Sequence, residues 1–148
     1  MKSNIIEWDN RYALGIEKID AQHRELLRMA NDLCLGRREE GAFIHNVVSF
    51  LRYHFLTEEE LLEKIKYPDI KAHKRQHHNF IMEISNRFDQ LAAARQPIPQ
   101  NLPGHLRSRI IAHISLIDKK YATYINIIDH SGERRIREQS LPTELFLG

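Results

Sequence analysis

The chain has 148 residues, 42% apolar and 28% charged, with a formal net charge of +2 when its histidines are neutral. That balance fits one globular domain with a sizeable core and excludes the strongly basic surface of a nucleic-acid-binding protein. A single cysteine, Cys34, excludes an internal disulfide framework and a cysteine-based zinc finger, and no apolar run nears the ~20 residues that span a bilayer.

In chain order, residues 1–17 come first as an arm. Trp8, Tyr12, Leu14 and Ile16 give it enough apolar surface to pack along a larger body. Its first residues lack the apolar stretch of a signal peptide, so a cytoplasmic location is expected. Four segments follow, roughly 18–36, 41–65, 70–94 and 104–130, each with apolar residues at three- and four-residue spacing. None alternates as a strand would. Gly36, Gly41, Pro68, Pro97, Pro99 and Pro103 stand at or between their ends, where they punctuate helices instead of breaking them. The expected fold is all-α, an antiparallel up-down-up-down four-helix bundle with an N-terminal arm, in a domain spanning 1–130. Residues 131–148, with Arg134, Arg135 and Arg137 before Leu141, Leu145 and Phe146, are expected to form a mobile tail.

Each helical residue turns about 100° from the last, which assigns side chains to faces. On the first helix His23 falls among Ile19, Leu26, Ala30 and Leu33. On the second, His54 and Glu58 fall among Val47, Leu51, Leu61 and Ile65. On the third, His73 and His77 share a face with Phe80, Ile84 and Leu91. On the fourth, His113 shares one with Leu106, Ile110, Ile117, Tyr124 and Ile128. One inward histidine is ordinarily a hydrogen-bonded core residue. Five on four helices, with an inward carboxylate that is costly to bury unpaired, are explained together by a metal site. His54-x-x-x-Glu58 and His73-x-x-x-His77 each place two ligands one turn apart, at chelating separation. Asp118 lies about 140° around an ideal helix from His113, so spacing alone leaves it a surface residue unless a π-type bulge turns it inward. His45, His78, His105 and His130 are expected on the surface.

The chain carries Trp8, Tyr12 and Gly15; Ile19-Asp20-x-Gln22-His23 with Leu26 and Asn31; His54-Phe55-x-x-Glu58-Glu59; Tyr67-Pro68; His73-x-x-x-His77-x-x-Phe80; and His113-Ile114-x-x-x-Asp118-Lys119-x-Tyr121. Together these motifs resemble the hemerythrin family, specifically its single-domain bacterial type. The resemblance covers roughly residues 6–129. It implies a non-haem di-iron centre with an oxo or hydroxo bridge. His73, His77 and His113 would bind one iron, His23 and His54 the other, and Glu58 and Asp118 both. The first iron is then full and the second keeps one open position, where dioxygen binds reversibly. Leu26, Phe55, Ile110 and Ile114 are the expected walls of that oxygen pocket. Small anions are expected partners of the oxidised site, with neither nucleic acid nor membrane involved.

Many relatives carry Trp four residues before the last histidine ligand, and here that residue is Arg109. It lies about 40° to the side of His113. Either its cation runs out to the surface, or it sits near the centre, attracts anions and water, and hastens autoxidation.

Two classes compete for the function. One is oxygen carriage, storage or sensing without catalysis, and the other is a di-iron redox enzyme or sensor acting as a peroxidase, an oxidase or a nitric-oxide handler. No histidine follows a Glu at a Glu-x-x-His spacing, which argues against ferritin-like di-iron chemistry. A purely structural zinc site leaves the open position unexplained. A bis-histidine haem leaves Glu58 and three histidines unexplained, and Cys-x-x-Cys-His is absent. Oligomeric state is not legible in this pattern.

Overall fold

The computed structural model of the protein describes residues 5–36 and 40–128, without the side chains of 40–43. The expected tail at 131–148 and His130 lie outside the described residues. A short 3-10 turn, Asn10–Tyr12, interrupts the arm. Gly15 then turns the chain with φ +86°, a left-handed conformation that suits glycine. The Asp20 carboxylate holds this turn by accepting from the Leu14 and Gly15 N–H groups at 2.8 and 3.1 Å. Helix α1 follows over Glu17–Cys34 and ends at Gly36, φ +65°. Helix α2 spans Glu40–Lys64 and α3 spans Ile70–Ala93. Helix α4 spans Leu102–Ala112, with Pro103 in its first turn, where no intrahelical N–H bond is lost. Without leaving the helical path the chain enters a π-helical turn, His113–Asp118, and continues as α5, Lys119–Ile128.

Helix α1 packs on α2 and α4, and α2 packs on α3. The apolar stripes make two clusters. One joins Leu26, Ala30 and Leu33 to Ile44, Val47, Leu51, Ile84 and Leu106. The other joins Ile16 and Ile19 to Leu61, Leu62, Ile65, Tyr121 and Ile125. The late residues of α1 thus meet the early residues of α2, and the early residues of α1 meet the late residues of α2. That is the antiparallel up-down arrangement expected from short connections. Among the described residues there is no strand.

The ideal-helix reading errs on the last helix. Ile117 and Tyr124 are only half-buried, whereas Asp118, Tyr121 and Ile125 turn inward. A π turn adds a residue to one turn, so every later position is rotated against the α-helical count. Leu91, at the end of α3, is likewise half-buried and packs on the edge of the first cluster.

The arm is fastened by polar contacts as well as by the burial of Tyr12, Leu14 and Ile16. Asn31 accepts from the Ile6 N–H at 3.0 Å, donates to the Ile6 carbonyl at 2.9 Å, and accepts from Arg107 at 3.1 Å. Lys119 donates to the Ala13 carbonyl at 2.9 Å. Replacing Asn31 with Ala strands the buried Arg107 and the half-buried Ile6 backbone, a loss of about 1–3 kcal/mol. A thermal melt of Asn31→Ala is therefore expected to fall by roughly 3–8 °C, since each kcal/mol moves a domain of this size by a few degrees.

Candidate metal centre

Between the two apolar clusters every helix contributes polar side chains at the same level. These are His23 from α1, His54 and Glu58 from α2, His73 and His77 from α3, and His113 and Asp118 from the two ends of the π turn. All are buried, and Glu58, Asp118 and His23 are fully so. The seven fall into two sets whose ligand atoms lie within 4.8 Å of one another. Glu58, His73, His77, His113 and Asp118 form one, and His23, His54, Glu58 and Asp118 the other. The two carboxylates belong to both.

The distances show how they are shared. Asp118 turns Oδ1 to His113 Nε2 at 3.1 Å and to His73 Nε2 at 3.3 Å, and Oδ2 to His23 Nε2 at 3.1 Å. Glu58 turns Oε1 to His77 Nε2 at 3.1 Å and to His54 and His73 at 3.6 and 3.7 Å, and Oε2 to His23 Nε2 at 3.6 Å. The π turn is what makes this possible, because it swings Asp118 from the flank of the helix to the side of His113.

Outer contacts fix the rings. His54 Nδ1 donates to Gln22 Oε1 at 2.6 Å, and His77 Nδ1 donates to Glu59 Oε2 at 2.8 Å. Bonding the outer nitrogen leaves Nε2 as the inward lone pair, the usual arrangement around a metal. Tyr121, fully buried, donates to Glu58 Oε2 at 2.6 Å. The sequence motif contained Gln22, Glu59 and Tyr121, but their bonds to the site become visible only with the helices in place.

Protonation follows from this crowding. Burial opposes charge on His23 and His73, yet the Asp118 and Glu58 carboxylates beside them outweigh it and push both up to about 9. Burial dominates at His54 and brings it down to about 3. Burial works to raise the two carboxyls, but the imidazoles around them hold both Glu58 and Asp118 well below the usual carboxylate range. Burial, reinforced by the negative charges of Glu58 and Asp118, drives the Tyr121 hydroxyl far up.

Protons alone leave the cluster incompletely satisfied. His23 Nε2, His54 Nε2, His73 Nε2, His113 Nε2 and both Asp118 oxygens are buried with no hydrogen-bond partner among the described residues. Converging imidazole nitrogens and carboxylate oxygens, without thiolate, fit divalent first-row metals and suit iron.

Beside the cluster lies a small cavity, with about 10 Å³ open to the centre of a water-sized molecule. Leu26, Phe55, Ile110 and Ile114 all line it, and so do Leu51 and Phe80, which the sequence reading did not place there. His23, His54, His113 and Asp118 complete its wall. Arg109 takes the outward course. Its guanidinium stacks 4.6 Å from the centroid of the Phe80 ring and meets Glu83 Oε1 at 2.9 Å, away from the cluster. His45, His78 and His105 are exposed.

Comparison with known proteins agrees with this arrangement. Residues 14–125 match the profile of the hemerythrin HHE cation binding domain. The chain is 33% identical over 129 residues to a bacteriohemerythrin of Stenotrophomonas maltophilia, covering 82% of each. It is 29% identical over 138 residues to a bacteriohemerythrin of Pseudomonas aeruginosa, covering 90% of this chain and 88% of that one. A wild-type hemerythrin crystal structure superposes with a TM-score of 0.74 at 23% identity, over 80% of this chain and 96% of that one.

Metal uptake must displace the protons on His23 and His73, because only neutral imidazole ligates. Loading near pH 7.5 is expected to release about two protons per chain and to tighten as pH rises toward 9. Calorimetry in buffers of different ionisation enthalpy reads the proton count. In the metal-free protein the raised values have the opposite consequence. The two histidines stabilise the fold fully below pH 6.5, and that contribution disappears as pH rises through about 9. Metal-free melts are therefore expected to be higher at pH 6 than at about pH 9.5.

Proposed function

We propose that this chain, which belongs to the hemerythrin family, is a non-haem di-iron protein that binds dioxygen reversibly and has no catalytic turnover of its own. His73, His77 and His113 would hold one iron, His23 and His54 the other, and Glu58 and Asp118 both. The observation that carries the reading is the position of the apolar cavity. It abuts both histidines of the set with fewer protein ligands, His23 and His54, but only His113 of the three histidines in the fuller set, so the side with a coordination position to spare faces a space sized for a very small molecule. A ferrous pair held there would supply the two electrons that dioxygen takes up and returns.

The chain's own residues set the conditions for that exchange. Leu26, Leu51, Ile110 and Ile114 exclude water and offer no polar atom, which favours an apolar gas over anions. Gln22 and Glu59 keep the His54 and His77 rings from turning. Tyr121 holds its proton on Glu58 Oε2 and keeps that oxygen from drifting as charge at the centre changes. Beyond the groups that hold the metals, no further acid or base lines the cavity, which supports binding over turnover.

Iron-loaded protein, reduced without air, is expected to contain two irons per chain. It should gain a visible absorption band when oxygen is admitted and lose it when oxygen is removed. Prompt conversion to a stable ferric form would instead indicate a redox enzyme or redox sensor, and absence of iron would overturn the reading.

Because Arg109 points outward to Glu83, its charge has little reach into the cavity. The half-life of the oxygenated form in Arg109→Trp is expected to stay within about twofold of the parent, less than about 0.5 kcal/mol of barrier. A marked lengthening would show that the cation does hasten autoxidation.

A further inference from the structure

Every residue lining the cavity beside the cluster is buried, at most 6% exposed, so a ligand must pass between its walls. Leu26, Leu51, Ile110 and Ile114 are each at most 2% exposed and are backed by the rest of the core. Phe80 is covered on its outer side by the Arg109 guanidinium, which Glu83 holds in place. Phe55 is different. It lines the cavity, and it also lines a groove on the outside of the bundle between α2 and α3, with about 400 Å³ open to water-sized molecules. Among the described residues no other belongs to both linings.

The groove has a mixed lining: Phe55, Leu56, Ile81 and Met82 are apolar, and Arg52, Glu59, Lys74, His77 and His78 are polar or charged. Ile81 lies in its floor, and Leu56 and Met82, 62% and 42% exposed, stand at its sides. The Phe55 ring is held by stacking, not by hydrogen bonds. It lies flat on His77 with ring centroids 3.8 Å apart and planes 7° apart. The ring also meets His54, Phe80 and His113 with centroids 5.8, 5.8 and 5.4 Å away, so its displacement is a change of side-chain rotamer against other side chains and not a movement of the helix backbone.

We infer that the α2–α3 groove is the port through which dioxygen and small anions reach the cavity, with the Phe55 ring as its door. The inference rests on the reading of the cavity as the ligand site. A door lowers or raises a barrier without changing the two end states, so blocking the groove must slow arrival and departure equally.

Met82→Trp fills the groove from an exposed position that touches neither cluster nor cavity. The test uses stopped-flow binding of azide to the ferric protein, with Ile127→Trp, on an exposed position of α5, as control. Association and dissociation rates are expected to fall together by roughly tenfold in Met82→Trp, with the dissociation constant unchanged, and to stay at parental values in the control. Unchanged rates in Met82→Trp, or a fall in only one of the two, would overturn the proposal. A second measurement needs no ligand. In zinc-loaded protein with labelled phenylalanine, the Phe55 ring flip seen by NMR is expected to slow in Met82→Trp while that of Phe80 does not. Equal Phe55 flip rates in both proteins would count against the door. Neither measurement requires that dioxygen bind reversibly, so failure of that function and failure of the port are told apart.

Discussion

Two carboxylates and five imidazoles buried at one level of a four-helix bundle constitute the constraint on which this molecule turns. An isolated buried carboxylate costs several kcal/mol, and two side by side cost more unless their charge is balanced. The balance here comes from all four helical strands of the bundle, so none can slide or rotate without uncovering a charge. Apolar packing above and below would tolerate many small shifts of register. The polar layer tolerates few, because each Nε2 must stay within reach of the same pair of carboxylates.

That demand reaches into the backbone. A regular α-helix through His113 would carry Asp118 past the flank of the bundle, and the cluster would lose one of the two carboxylates whose oxygens reach both sets of histidines. The π turn at His113–Asp118 resolves the conflict. It also rephases everything after it, which is why Tyr121 lands against Glu58 and Ile125 enters the second cluster. The same device therefore shapes the ligand set, the hydrogen bond behind it and the packing of the last helix.

Much of this was legible in the amino-acid sequence. Helix extents followed from apolar spacing and from Gly and Pro at the ends, since both signals are local. His23, His54, Glu58, His73, His77 and His113 could be turned inward by counting, because those helices are regular where they stand. Asp118 could not, since a π turn leaves no mark in hydrophobic periodicity, and only the family resemblance nominated it. Ile117 and Tyr124 come out only half-buried for the same reason, Tyr124 at the edge of the second cluster, while Ile128 stays buried as expected. The outer bonds from Gln22, Glu59 and Tyr121 depend on how neighbouring helices meet, and the course of Arg109 depends on Glu83 one helix away. These are contacts between elements, about which periodicity within an element is silent.

The polar layer also divides the interior. Neither apolar cluster is continuous with the other, and each alone is a core of the kind that makes a small domain only marginally stable. What joins them into one cooperative unit is the set of cross-links at the level between. Occupied by metal, that level ties four strands at a single height, and the bundle opens as a whole or not at all. Emptied of metal, it becomes a seam across the middle of the protein. Local opening on either side then no longer requires the other half to follow, and slow amide exchange would resolve into two populations, one for each end.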